Sequence, residues 1–426
     1  MIKKLIILLA LCTDVCYAQY KNIKINTFEN RPNEVSIAIN PLNPLNIVAG
    51  ANLNNFYYTL DGGNTWVNDT LHSDVSGVWG DPCLFYDTKG NAYFIHLARP
   101  PQGKWLDRIV CQKSLDNGVT YNNPGTFTGL NPAKIQDKAW AIADWTSSNW
   151  RNNIYVSWTQ FDKYNSRNPL DSSIILFSNS IDGGMTWSEA KRINSVSGDC
   201  IDSSNTVEGA VPCVGPNGEV YDAWAGPLGI VFDKSTDGGN TWAGNKAITP
   251  LILGWTYDID GIYRCSGMPV TCCDISTSSH KGNIYINWSD GRNGPNDIDI
   301  FMIKSTDGGN TWSNVKRVND DKEKNAKQQF MNYMSVDPVT GNIYILYYDR
   351  RSYDDTQTDV YLARSVDGGD SFTNIKISEK PFTPQAKVFF GDYIGVSAYN
   401  DFAACLWMRI DDGKTSIQYC GVDFKK

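Results

Sequence analysis

Short apolar runs recur along the whole chain, each broken off by a cluster of Gly, Asn and Asp. Ile298 to Ile303 and Val360 to Ala363 are typical, and runs of this length between turn residues read as β-strands. The runs fall into a repeated order. An apolar strand A meets a Gly/Asn-rich turn, and strand B then opens with a recurrent triplet: Asn153-Ile-Tyr155, Asn283-Ile-Tyr285 and Asn342-Ile-Tyr344, with Asn91-Ala-Tyr93 and Glu219-Val-Tyr221 as variants. Strand B ends in aromatic and polar residues, as in Trp158-Thr-Gln160, Trp288-Ser-Asp290 and Tyr347-Tyr-Asp349. A variable loop, a strand C, a fixed phrase and a strand D follow. The pattern predicts a four-stranded antiparallel meander, repeated.

The fixed phrase occurs six times: Thr59-Leu-Asp61-Gly-Gly-Asn-Thr-Trp66, Ser114-Leu-Asp116-Asn-Gly-Val-Thr-Tyr121, Ser180-Ile-Asp182-Gly-Gly-Met-Thr-Trp187, Ser235-Thr-Asp237-Gly-Gly-Asn-Thr-Trp242, Ser305-Thr-Asp307-Gly-Gly-Asn-Thr-Trp312 and Ser365-Val-Asp367-Gly-Gly-Asp-Ser-Phe372. Its Asp-Gly-Gly core supplies the φ > 0 positions of a tight turn, and the carboxylate accepts backbone N–H bonds within it. The closing aromatic opens strand D and offers an apolar face for packing between sheets. Repeats spaced 55 to 70 residues apart indicate an array of similar β units.

The phrase resembles the Asp box, or bacterial neuraminidase repeat, of sialidase-type β-propellers, and the resemblance covers nearly all of the chain after residue 28. It implies an all-β propeller of four-stranded blades. It also implies that Asp61, Asp116, Asp182, Asp237, Asp307 and Asp367 are structural, because Asp boxes lie in turns remote from the active face. Strand A is expected to begin near Glu34, Cys83, Ala139, Gly209, Met268, Asn332 and Ile394, which gives seven starts against six boxes. The last unit supplies three strands, and Ile23–Thr27 can provide the fourth and close the ring. Seven blades are therefore expected, with the six-bladed sialidase ring as the alternative.

Composition narrows the setting. Residues 1–18 read as a secretory signal, with Lys3 and Lys4, an apolar stretch from Leu5 to Leu11, and Val15-Cys-Tyr-Ala18 before Gln19. Residues 19–426 then form a single propeller domain, secreted or periplasmic and expected to be monomeric. No segment reaches the ~20 apolar residues a membrane-spanning helix needs. Losing two lysines and one aspartate with the leader takes the net charge from −8 to −9, which argues against a nucleic-acid partner. Nine cysteines remain, with Cys200–Cys213 and Cys405–Cys420 as candidate local bridges and buried thiols as the alternative. No CxxC pair occurs and the three histidines are far apart, so no zinc site and no cofactor are expected. The acidic loop Asp290–Asp299 is at most a weak calcium candidate, because the spacing of a dedicated calcium loop is missing.

In such a meander the A–B and C–D turns share one face, and the longer D–A and B–C loops share the other. Function is expected where strand A starts and strand B stops, at the mouth of the central channel. Those positions hold Glu34, Asp81, Asp137, Lys138, Glu208, Arg264, Asp290, Arg292, Asp349, Arg350, Arg351, Asp392 and Tyr393. The resemblance implies three arginines gripping a sugar carboxylate, an acid/base Asp and a Tyr nucleophile activated by a Glu; Asp81, Glu208, Arg292, Arg350 and Tyr393 occur in a compatible order. The opening Arg-Ile-Pro of sialidases is absent: Glu34-Val-Ser-Ile stands there, with Arg31-Pro32 three residues upstream. A carboxylate at that place repels a sialate carboxylate by roughly 4 kcal/mol at 4 Å and an effective dielectric of 20.

The reading is therefore a glycoside hydrolase acting on an acidic glycan. Glu34, Asp81, Glu208 and Tyr393 are its catalytic candidates, and Lys138, Arg264, Asp290, Arg292, Asp349, Arg350, Arg351 and Asp392 its binding residues. The alternatives are a lyase using Tyr393 or Lys138 as base, a non-catalytic glycan- or protein-binding propeller, and an assembly scaffold.

Overall fold

A computed structural model of the chain describes residues 20–28 and 31–425, so the leader assigned to residues 1–18 lies outside the described residues. Seven four-stranded antiparallel sheets are arranged as the blades of a propeller, in the strand order A-B-C-D predicted from the repeat. Adjacent A strands contact one another around the ring, including the first (Val35–Ile39) against the last (Gly395–Tyr399). The count is seven and not six.

Closure follows the expected route. Ile23–Lys24 pairs with Tyr419 and Gln418 of the last blade's C strand and completes that sheet. The Ile25 N–H donates to the Ile417 carbonyl at 3.0 Å, the Ile417 N–H donates to Asn26 Oδ1 at 2.8 Å, and the Ile25 side chain is buried. A first strand held by the end of the chain leaves no open edge in the ring.

The repeated Ser/Thr-x-Asp phrase builds the turn its chemistry predicts. In the fourth blade, Ser235 Oγ donates to Asp237 Oδ1 at 2.8 Å and accepts from the Gly239 N–H at 2.9 Å. Asp237 then accepts from the Thr241 N–H at 2.8 Å and from its hydroxyl at 2.6 Å. Those donors outweigh a slight burial and hold the carboxyl down at about 2. The closing ring packs on strand C of the preceding blade: Trp242 on Phe177 and Trp312 on Phe232, centroids 5.0 and 5.1 Å apart at near-perpendicular angles. Gly239 shows why the second glycine is needed. Its φ is +87°, and a Cβ there would sit 2.4 Å from the Phe177 ring.

Four A strands carry an irregularity that matters for function. Register shifts fall between Gly80 and Cys83, Asp137 and Trp140, Glu208 and Val211, and Phe330 and Tyr333. Inside them Asp81, Lys138, Gly209 and Met331 take φ values of 51, 46, 73 and 50°. These β-bulges lie at the channel mouth and re-aim side chains there. They also explain why three A strands begin three or four residues before the predicted starts: at Gly80, Ile135 and Gln329.

The local bridges are not formed. All nine described cysteines carry free thiols, eight of them buried. Cys405 and Cys420 are cross-strand partners, whereas Cys200 lies in a D–A loop and Cys213 in an A strand beside the Cys272-Cys273 pair of the next blade. Burial is the dominant influence on these thiols, pushing Cys83, Cys111 and Cys272 up to about 12.

Candidate functional site

The D–A and B–C loops enclose a pocket of about 290 Å³ at the channel mouth. The bulges deliver its acids. Asp81 comes from the second blade, Asp137 and Lys138 from the third and Glu208 from the fourth, while Glu34 stands just before the first A strand with φ 51°. Asp392 and Tyr393 arrive on the loop entering the last blade. Arg264 is carried in by a small hairpin, Thr256–Tyr257 paired with Cys265–Ser266, inserted between the fourth and fifth blades. The sequence pattern gave no sign of this insertion.

The carboxyl groups are tied together. Arg264 donates from Nε to Asp392 at 2.9 Å, from Nη2 to the other Asp392 oxygen, and from Nη1 to Asp202 at 2.6 Å. The Tyr164 hydroxyl also donates to Asp202, at 2.6 Å. Burial raises Glu34 well above the ordinary carboxylate range, with Asp81 and Asp392 adding to the effect and Arg264 opposing it. Asp137 and Glu208 are raised well above that range in the same way, by burial and then by neighbouring acids, Asp81 and Asp202 for the first, Asp202 and Asp137 for the second. Asp81 is raised by burial but is pulled back by the Lys138 ammonium and by hydrogen bonds from Glu34 and Asp137. All four are thus raised by burial, and Asp81 alone among them has a cation, not an acid, as its strongest neighbour, the kind of contrast that separates acid from base roles.

Lys138 is itself buried, and its Nζ lies over the rings of Tyr393 and Trp140 at 3.9 and 4.2 Å. Burial lowers its pKa, while Asp81, Glu34 and Glu208 pull the other way. Tyr393 stacks edge-on to Trp140 at 5.4 Å, and its hydroxyl is buried without a hydrogen-bond partner. Burial, followed by Asp81, Glu34 and Asp392, pushes this phenol well up, so it rests protonated. Glu208 is hydrogen-bonded to Asp202, and its Oε2 is buried without a partner. Buried polar atoms without a partner are uncommon, and two of them stand side by side with the acids of this pocket wall.

Glu34, Asp81, Lys138, Glu208, Arg264, Asp392 and Tyr393 thus line one pocket. The other expected members do not reach it. Arg292 folds back on Asp290, two residues earlier, with contacts of 2.8 and 2.6 Å, and stacks on Trp288 and Phe301. Arg351 does the same with Asp349 at 2.8 Å and reaches Asp320. Arg350 is buried and donates to the Asp260 carbonyl at 2.8 Å, which braces the hairpin that carries Arg264. The Asp290–Asp299 loop is likewise engaged internally: Asp299 accepts from Arg317, Asn319 and Asn293. Among the described residues no three His, Cys, Asp or Glu side chains are grouped to hold a metal ion.

Several lining residues escaped the sequence reading. Asp202, Trp105, Tyr164 and Phe389 sit in loops of no periodicity, although each loop lies on the face predicted to carry function. Trp105 packs edge-on against Trp79 at 5.8 Å and against Tyr164 at 6.4 Å, forming an aromatic wall.

No protein-family model matches the chain, and no curated protein matches it. Solved structures do. The NanB sialidase from Streptococcus pneumoniae is similar at 10% identity, with a TM-score of 0.50 over 89% of this chain and 84% of that one. The α-L-arabinofuranosidase Arb93A from Fusarium graminearum is similar at 12% identity, with a TM-score of 0.52 over 81% of this chain and 93% of that one. The α-L-arabinanase from Penicillium chrysogenum, complexed with arabinobiose, is similar at 12% identity, with a TM-score of 0.50 over 95% and 98% of the two chains. At such identities the likeness concerns architecture, not chemistry. The chain has the fold of the sialidase-like β-propellers.

Proposed function

We propose that this chain is an exported glycoside hydrolase whose reaction takes place in the carboxyl-lined pocket at the channel mouth. The observation that carries the reading is Glu208: a buried acid at the pocket wall, raised by its surroundings, with one oxygen enclosed and left without a hydrogen-bond partner. An acid whose pKa is raised by burial keeps its proton to higher pH and can give it to a departing glycosidic oxygen. Asp81 is the complementary group, since it accepts from Glu34 and Asp137 and faces the Lys138 ammonium. It is assigned the attack on the anomeric carbon, directly or through a water. Glu34 serves as the donor that holds Asp81. Tyr393, as a phenol, is a donor to the bound sugar, and the Lys138 ammonium over its ring helps stabilise negative charge developing beside it. The aromatic wall of Trp79 and Trp105 offers a face on which a sugar ring can pack. The arabinobiose complex of the α-L-arabinanase that is similar in fold agrees with a carbohydrate ligand.

Product release from oligosaccharides tests the proposal. Glu208→Gln keeps the shape of the side chain and removes its proton, so turnover should fall by about 100-fold or more while thermal unfolding is unchanged. Because the working form is protonated and its pKa is raised, wild-type activity should decline as pH rises, through a range above the ordinary carboxylate value of about 4.3. Unaltered turnover in Glu208→Gln would remove Glu208 from the reaction.

A further inference from the structure

The sequence led to the expectation of an acidic glycan held by arginines. The pocket is built otherwise. Arg264 is its inner guanidinium, and two carboxylates already take it: Asp392 through Nε and Nη2, and Asp202 through Nη1. Asp202 is fixed in turn by the Tyr164 hydroxyl. Arg292 and Arg351 are spent on their own aspartates outside the pocket. Lys138 lies over two aromatic rings, with Asp81, Glu34 and Glu208 as its charged neighbours. The remaining lining cation, Arg31, stands at the exposed rim. Six carboxyl side chains (Glu34, Asp81, Asp137, Asp202, Glu208 and Asp392) thus face three cationic ones.

An incoming carboxylate or sulfate would have to displace Asp392 or Asp202 from Arg264 and then sit among the other acids. A hydroxyl-bearing ring meets no such conflict. It can donate to the carboxylates, accept from the protonated acids and from Tyr393, and lay a C–H face on the Trp79–Trp105 wall.

We infer that Asp202 and Asp392 set the specificity of this pocket: by occupying Arg264 they reserve the site for a neutral sugar ring and reject glycans that carry a carboxylate or sulfate there. The inference rests on the glycan-binding reading above and adds the substrate class. It works by built-in rejection, since the unfavourable partner for an anion is part of the wall.

Binding, read without turnover, tests it. The mature protein is screened on a glycan array, and matched neutral and acidic pairs, such as galactobiose with digalacturonate and lactose with sialyllactose, are titrated by calorimetry. The neutral member of each binding pair should be at least about tenfold tighter. Asp392→Asn frees one edge of Arg264 and should narrow that gap by about tenfold, and Arg264→Gln added to it should restore the gap. If Asp392→Asn does not fold, Asp202→Asn reads the same release. Acidic glycans binding the wild type as tightly as neutral ones would overturn the inference, as would equal weakening of both sets by Asp392→Asn, or binding of neither set. Neutral glycans that bind but are never cleaved would sink the hydrolase reading and leave this one standing. Cleavage of acidic glycans alone would do the reverse.

Discussion

At the scale of single residues, burial governs the acids of this protein, and not every buried acid belongs to the pocket. Asp222, on strand B of the fourth blade, is wholly enclosed, and burial drives its carboxyl up to about 8 with the Ser157 hydroxyl opposing. Its unfolded value lies near 3.9. Between about pH 4 and 8 the folded chain therefore holds a proton that the unfolded chain has lost, so this residue's contribution to stability falls as pH rises through that window and levels off above it. Asp222→Asn removes the dependence. Melting curves from pH 5 to 9 should show the variant gaining on the wild type as pH increases, and a constant difference would contradict the assignment. Residue-level reasoning from sequence went astray in one instructive way. Arg292 and Arg351 each follow an aspartate by two residues and fold back on it, a local pairing that the i, i+2 spacing itself contains.

At the scale of elements, the repeated Ser/Thr-x-Asp turn was legible because every part of it acts locally. The Ser or Thr, the Asp, the glycines and the closing aromatic all do their work within eight residues and against one neighbouring strand. The rings are half-buried, not enclosed, which lowers what each contributes. Trp242→Ala should therefore cost about 2–3 kcal/mol, somewhat less than truncation of a fully enclosed tryptophan. Chemical denaturation giving wild-type stability would refute its packing role against Phe177. The bulges were not legible. Asp81-Pro82 and Asp137-Lys138 look like loop ends in the sequence, because a left-handed φ at a non-glycine residue is imposed by surrounding pairing and leaves no compositional mark. They are what turns an ordinary strand start into a wall of acids.

At the scale of the whole molecule, closure brings residues more than 300 positions apart into one pocket, with Glu34 beside Asp392. Blade number and ring closure could be read from counting strand starts against boxes, since each unit repeats the same apolar pattern. The hairpin bearing Arg264, and the loops bearing Asp202 and Tyr164, could not, because they are variable segments whose positions depend on blades distant in sequence. The ring also decides which loops matter. Those entering the first five blades and the last meet over the pocket, whereas the B–C loops of the fifth and sixth, with Arg292 and Arg350, stay outside it. If Glu208 protonates the leaving oxygen in that pocket, the damage done by its loss depends on the leaving group. Kinetics of Glu208→Gln should show a loss of about 100-fold or more with a sugar leaving group, and a much smaller loss with a nitrophenyl one, which needs little protonation. Equal losses for the two substrates, or no loss for either, would contradict the account.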